Sequence, residues 1–186
     1  EALRRRGHRV KIFSPAAPGY RGGRDVYKLR SIEFKRYPGY RIGMPFLKPW
    51  HVKNFDVVHV HTPATIGVMG MALAKYYNVP LVGTYHTLIP EYADYISPQK
   101  IKRIVKKALW KYSSMFFSKC DITIAPTNFI SRILRKHGVK NVVVVPTGIR
   151  IKKHRKNKNY LRKKYGFGKN DKIILHVGRI SKEKNI

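Results

Sequence analysis

Two histidines stand two residues apart in DVVHVHTP, His59 and His61, and a third, His86, follows in LVGTYHT. Alternation along a strand puts His59 and His61 on one face of a sheet. Thr62, Thr84, Tyr85 and Thr87 crowd the same two stretches with hydroxyls. Imidazoles gain and lose protons near neutral pH, and hydroxyls read other hydroxyls, so this set suits carbohydrate or phosphate chemistry. Three histidines also raise the question of a metal. No carboxylate or cysteine joins them at metal-ligand spacing, so no metal is expected. His59 is expected in the core and His61 beside a crevice.

These side chains must be held by the run from Asp56 to Tyr95. Val57 to Val60 is β-branched and reads as a strand, while Ala64 to Tyr77 is apolar at helical spacing behind Pro63. Asn78 and Pro80 stop that helix, and Leu81 to Tyr85 is the next strand. Strand, helix and strand in so few residues make a βαβ unit, whose parallel strands carry ligands at their carboxyl ends. His61, Thr62 and His86 fall at those ends.

The same alternation extends both ways. Ala2 to Arg6 closes a helix at Gly7, and Val10 to Phe13 is a strand. PGYRGG reads as a plain loop, since no apolar helix follows it to cradle a phosphate. Tyr27 to Trp50 holds one strand and a basic, aromatic loop placed to lie over the crevice. Ser97 to Lys119 reads as one long helix, its apolar residues Ile101, Ile104, Val105, Ala108, Leu109, Tyr112, Met115 and Phe116 packed on the sheet. Its Lys100, Lys102, Arg103, Lys106, Lys107 and Lys111 form either a solvated face or a face that docks on anionic lipid. Strands follow at Asp121 to Ala125 and Asn141 to Val145. Between them Thr127 or Asn128 caps a helix from Phe129 to Lys136. Beyond Ile149 the chain turns basic and polar, and Lys172 to Val177 reads as a further strand. The fold class is therefore α/β, a Rossmann-like parallel sheet over 1–149, with a linker and the first strand of a second domain over 150–186.

Composition agrees with a packed core: 43% of the 186 residues are hydrophobic, with 12 Tyr and 8 Phe. One cysteine, Cys120, fits a reducing compartment rather than a disulfide framework. No apolar run is long enough to span a bilayer, and no signal peptide is visible. Forty Lys and Arg against nine Asp and Glu give a formal charge of +31. Such self-repulsion favours a polyanionic partner, whether lipid, nucleic acid or a phosphorylated substrate; a lysine-rich proteome is the plainer source.

Six motifs in order, RGHRV, DVVHVHTP, NVPLVGTYHT, DITIAPTNFI, VVPTGI and HVGRISKEKN, resemble the family 4 glycosyltransferases of the GT-B fold, which are retaining and use nucleotide sugars. The resemblance implies an acceptor-side N-terminal domain, lacking its first strand, and the start of a donor-side domain. It implies His86 as the catalytic histidine beside the transferred sugar, and Arg179 and Lys184 as the clamp on the donor diphosphate. Gly148 would stand near the hinge. The run HTLIPEYADYI looks most like members that glycosylate diacylglycerol lipids, which implies acceptor binding by His61, Tyr85, Thr87, Glu91, Tyr92 and Tyr95. A UDP- or GDP-sugar is the implied co-substrate, with no other cofactor. The implied partners are that nucleotide sugar, a lipid or sugar acceptor, and an anionic membrane surface, with no specific nucleic acid. The implied location is cytoplasmic, peripheral on the inner face of the cell membrane. The family's first glycine-rich loop and its carboxylate-rich donor motif are missing, and Arg150 stands where an acid is common. The polypeptide therefore reads as a piece of an enzyme, inactive alone. A soluble sugar or sugar-phosphate acceptor is the alternative, and a basic nucleic-acid-binding module is the alternative of another class.

Overall fold

The computed structural model describes residues 2–35, 39–46, 53–148 and 159–178, with backbone alone at 94 and 95. Contacts divide the chain into two units, Glu1–Pro146 and Thr147–Ile186.

The first unit begins with a short helix, α1 (Ala2–Arg5), and a strand, β1 (Ile12–Pro15), which pairs in parallel with β2 (Val26–Leu29). β3 (Ser31–Glu33) and β4 (Arg41–Gly43) then form an antiparallel hairpin. The stretch expected to hold one strand thus holds three, each too short to show a period. Arg41 secures the hairpin by donating to the Ser31 hydroxyl at 2.8 Å and the Ser31 carbonyl at 3.0 Å.

The βαβ unit follows as β5 (Val58–Val60), α2 (Thr65–Tyr76) and β6 (Leu81–Thr84). Next come a 3-10 turn at Ile89–Tyr92 and a short helix, α3 (Ala93–Ile96). α3 ends at Ser97, which is extended (φ −130°, ψ 145°), because the ring of Pro98 disfavours helical backbone in the residue before it. The helix expected over Ser97 to Lys119 is α4 (Lys102–Phe117), entered through a 3-10 turn at Gln99–Ile101. β7 (Ile122–Ala125), α5 (Asn128–Lys136) and β8 (Val142–Val144) complete the unit. Thr127 caps α5, its hydroxyl accepting from the Ile130 N–H at 3.2 Å. Strands β5, β6, β7 and β8 make one parallel sheet in that order. A strand joined to a parallel neighbour needs a crossover, and α2, α4 and α5 serve as the three crossovers.

The core lies between this sheet and its helices: Val60, Leu81, Tyr85, Ala125 and Val142 meet Phe116, Phe117, Leu134 and Val139. Gly83 marks the tightest approach, since a Cβ there would lie 2.8 Å from Cys120 Sγ and 3.0 Å from the Phe117 ring. The end of α4 can close on β6 only because that strand position has no side chain.

The outward side of α4 departs from expectation. Val105, Leu109, Phe116 and Phe117 face in, but Ile104 is 68% exposed and Met115 52% exposed. Ile101, Ile104, Ala108 and Met115 lie instead among Arg103, Lys107 and Lys111 on the open face.

In the second unit α6 (Tyr160–Tyr165) ends at Gly166, whose left-handed backbone (φ 71°) suits glycine. Lys172 to Val177, expected as a strand, forms none: Ile174 is 97% and Val177 85% exposed. A strand is held by a neighbour's hydrogen bonds, and the described residues of this unit contain no second strand to supply them.

Candidate active site

β5 and β6 pair with Val60 opposite Gly83, so their carboxyl ends come out side by side. Val60 points into the core, and the alternation turns His59 and His61 to the other face. Their rings stack 4.3 Å apart. His59 Nε2 lies 2.6 Å from Thr84 Oγ1, so one of the two donates to the other. His59 is not a core residue as expected; it is exposed and held by this hydroxyl. His61 Nδ1 lies 2.8 Å from His86 Nε2, with the rings nearly parallel at 15°. Three imidazoles and a threonine therefore run in one line across two strand ends.

Neutral imidazoles are favoured at His59 and His61. Partial burial and then the charges of His61 and His86 lower the pKa of His59 to about 4. Burial, then the neighbouring His86, lowers His61. Each ring can then offer one donor and one acceptor. Among the described residues, no group of three or more His, Cys, Asp or Glu could hold a metal ion.

A cavity of about 420 Å³ opens beside the pair. His61, Thr62, Thr65, Thr84, His86 and Thr87 give it one polar side. The remaining wall is apolar and aromatic: Phe34, Tyr40 and Ile42 from the hairpin, Ile89, Tyr92 and Ile96, and Leu109, Tyr112 and Phe117 from α4. Among the described residues, no lysine or arginine lines it. The Tyr112 hydroxyl donates to the Pro63 carbonyl, tying α4 to the turn that starts α2. Thr65 Oγ1 donates to the Gly43 carbonyl and ties the hairpin to the same turn.

The residues singled out from the sequence divide accordingly. His61, Tyr85, His86, Thr87 and Tyr92 line the cavity together. Tyr85 is 2% exposed, and its hydroxyl has no hydrogen-bond partner among the described residues. Burial raises its pKa strongly, with a smaller contribution from Glu91; the nearby Ile89 N–H opposes this but makes its own bond to the Thr87 carbonyl. Glu91 is not on the cavity wall; it accepts from Lys106 Nζ at 2.6 Å. At Gly148 the space a Cβ would fill is empty and φ is outside the left-handed region, so nothing local demands glycine there. The Tyr95 side chain, Arg179 and Lys184 lie outside the described residues. Sequence reasoning did not assign Phe34, Tyr40, Ile42, Leu109 or Tyr112 to the site. The only signal for the first three was the aromatic loop expected over the crevice.

A parallel α/β sheet with a polar, histidine-bearing crevice at its strand ends defines a Rossmann-like ligand-binding domain. The model of Glycosyltransferase Family 4 matches residues 1–153, most of the chain, and the chain belongs to that family. It is 29% identical to the alpha-monoglucosyldiacylglycerol synthase of Acholeplasma laidlawii, an alignment covering 100% of this chain and 51% of that protein. It is 28% identical to the enzyme of the same name from Streptococcus pneumoniae, over 99% of this chain and 44% of that protein. It is 23% identical to the GDP-mannose-dependent alpha-mannosyltransferase of Corynebacterium glutamicum, over 100% and 47%. The chain thus spans about half the length of the curated relatives it matches.

Proposed function

We propose that the whole protein transfers a sugar from a UDP- or GDP-sugar to a hydroxyl of a membrane diacylglycerol-type lipid, with retention at the anomeric carbon. One observation carries this reading: a cavity with an apolar and aromatic wall opens directly beside the His61–His86 pair. A lipid hydroxyl reaching the histidines leaves apolar chain to cover, and that wall covers it. Among the described residues a sugar phosphate would meet no lysine or arginine there, which favours the lipid over the soluble acceptor. Relatives named as alpha-monoglucosyldiacylglycerol synthases point the same way.

In this reading His86 is the catalytic histidine. Transfer builds positive charge on the sugar ring and negative charge on the leaving diphosphate, and a hydrogen bond that strengthens with that charge lowers the barrier. His61, Tyr85, Thr87 and Tyr92 bind the acceptor with Glu91 and Tyr95 beside them, and Arg179 and Lys184 clamp the diphosphate. No helix among the described residues is long and apolar enough to cross a membrane. The outward face of α4 supplies the contact with an anionic surface, Ile104 entering the lipid between Arg103, Lys107 and Lys111. We place the enzyme on the cytoplasmic side of the cell membrane.

The test uses the full-length protein, a panel of nucleotide sugars and vesicles containing diacylglycerol, with glycolipid read by mass spectrometry. New glycolipid with the donor's anomeric configuration is expected, and His86→Ala should slow its formation by about tenfold or more. Donor consumption that yields only free sugar would remove the lipid acceptor, and turnover unchanged by His86→Ala would remove the catalytic role.

A further inference from the structure

The histidine line contains a constraint beyond the roles given so far. Among the described residues the His86 ring makes one hydrogen bond, through Nε2, and the partner atom is Nδ1 of His61. A neutral imidazole carries one N–H, so the link fixes both rings at once. If His61 Nδ1 donates, then His86 carries its proton on Nδ1 and offers a ligand a donor. If His86 Nε2 donates, then His86 Nδ1 is bare and offers an acceptor. In both states Nδ1 is the nitrogen of His86 that remains for a ligand. His61 is itself confined, stacked on His59 at 4.3 Å, while His59 is held by Thr84 Oγ1 at 2.6 Å.

We propose that His61 is the positioning residue of His86: its hydrogen bond occupies Nε2, couples the tautomers of the two rings and aims Nδ1 of His86 at the substrate. This rests on the catalytic placement of His86 above. The link also makes the pair one coupled unit: His86 changes from donor to acceptor when a proton crosses the 2.8 Å contact to its Nε2, its own Nδ1 proton leaves to the ligand or water, and His61 takes a proton on Nε2 from water. The groups facing His61 favour its neutral form. His59 from β5 stacks on one side, and Tyr40, Tyr85, Tyr92 and Tyr112 line the cavity on the other. Glu91, five residues after His86, is engaged by Lys106. The lowered pKa of His61 has the same sense.

Two substitutions separate the hydrogen bond from the ring. His61→Phe keeps a ring to stack on His59 and removes the nitrogen, whereas His61→Gln removes the ring and keeps a donor and an acceptor. Full-length protein labelled with ¹⁵N-histidine, observed by long-range ¹H–¹⁵N correlation at pH 8, reports the tautomer of His86 directly. In the parent protein His86 Nε2 should show the shift of a hydrogen-bonded nitrogen, in His61→Phe that of an exchange-averaged imidazole, and in His61→Gln that of a hydrogen-bonded nitrogen again. In the vesicle assay kcat should fall about tenfold in His61→Phe, less than the ~100-fold of a general acid–base contribution at its low end because His86 itself remains, and recover in part in His61→Gln. The fall in kcat should exceed any rise in the acceptor KM. A His86 spectrum unchanged by His61→Phe overturns the proposal whether or not the parent protein transfers sugar. A raised acceptor KM with unchanged kcat also overturns it, and makes His61 an acceptor contact only. A parent protein without transferase activity would refute the proposed function, while the spectra alone would still decide the tautomer.

Discussion

Replacing Gly67 by alanine sets two physical effects against each other, and the structure says which wins. Gly67 lies in the first turn of α2, where helix propensity alone favours alanine by about 1 kcal/mol. The added Cβ, however, would lie 1.9 Å from the carbonyl oxygen of Thr62 and 3.1 Å from its carbon. An ordinary contact is about 3.5 Å, so more than an ångström of movement is required. The obstacle is backbone and cannot rotate away. The turn it belongs to is tied on both sides, by Tyr112 through Pro63 and by Thr65 through Gly43. Overpacking costs about 1–3 kcal/mol where side chains can yield, and a backbone obstacle puts it at the upper end, about 3, so after the propensity gain the net loss is about 2 kcal/mol. For a unit of this size that lowers Tm by roughly 4–8 °C. Gly70→Ala is the control on the same helix. It carries the same propensity gain but meets only the Val60 and Val58 methyls, at 3.2 and 3.6 Å, and should change Tm little. Thermal melts of both variants, followed by circular dichroism, decide the matter. A Gly67→Ala protein as stable as Gly70→Ala would refute the reasoning. The same variant should also weaken the His61–His86 link, because Thr62 adjoins His61.

Two further outcomes are expected. His59 has its pKa lowered to about 4 in the folded chain against 6.5 unfolded, so the unfolded state binds more protons between those values and stability falls as pH drops from about 6.5 toward 4. Because the ring is partly solvated, the loss is only a fraction of the ~1.4 kcal/mol per pH unit that a buried group would show. Urea midpoints at pH 7.5 and pH 5 should differ less in His59→Gln than in the parent, and an identical pH dependence would remove His59 as the cause. On α4, neutralising Arg103, Lys107 and Lys111 should lower partition onto anionic vesicles by about 1 kcal/mol each, and Ile104→Asp should add to the loss without unfolding the chain. Equal partition of the parent and the quadruple variant would take this helix out of the membrane contact.

The sheet was legible where local chemistry decides it. Pro63 at the start of α2, Asn78 and Pro80 after it, and β-branched runs on both sides specify strand, helix and strand with little help from the rest of the chain. The shared face of His59 and His61 was legible for the same reason, since alternation is a property of one strand. Their meeting with His86 needed the next level. It depends on β5 and β6 being neighbours, in a register that sets Val60 opposite Gly83, and that pairing is fixed by packing across the sheet. The boundary at Ser97 was written in the sequence, because Pro98 disfavours helix in the residue before it, but α3 ahead of it is four residues long and too short to show a helical period. α4 shows the deeper difficulty. Its sequence holds two apolar stripes, one through Val105, Leu109 and Phe116, the other through Ile101, Ile104, Ala108 and Met115. A helical period of 3.6 fits both. The inward stripe is completed by Ser113, which is 0% exposed, so the buried face includes a polar residue while Ile104 stands in the open. Hydrophobicity therefore could not say which stripe the sheet takes. What separates them is charge: Arg103, Lys107 and Lys111 surround the open stripe, and burying that face would have carried three cations into the core at several kcal/mol each. The cations fix the orientation of the helix, and in fixing it they leave an apolar row exposed among positive charges, the arrangement an anionic lipid surface can cover.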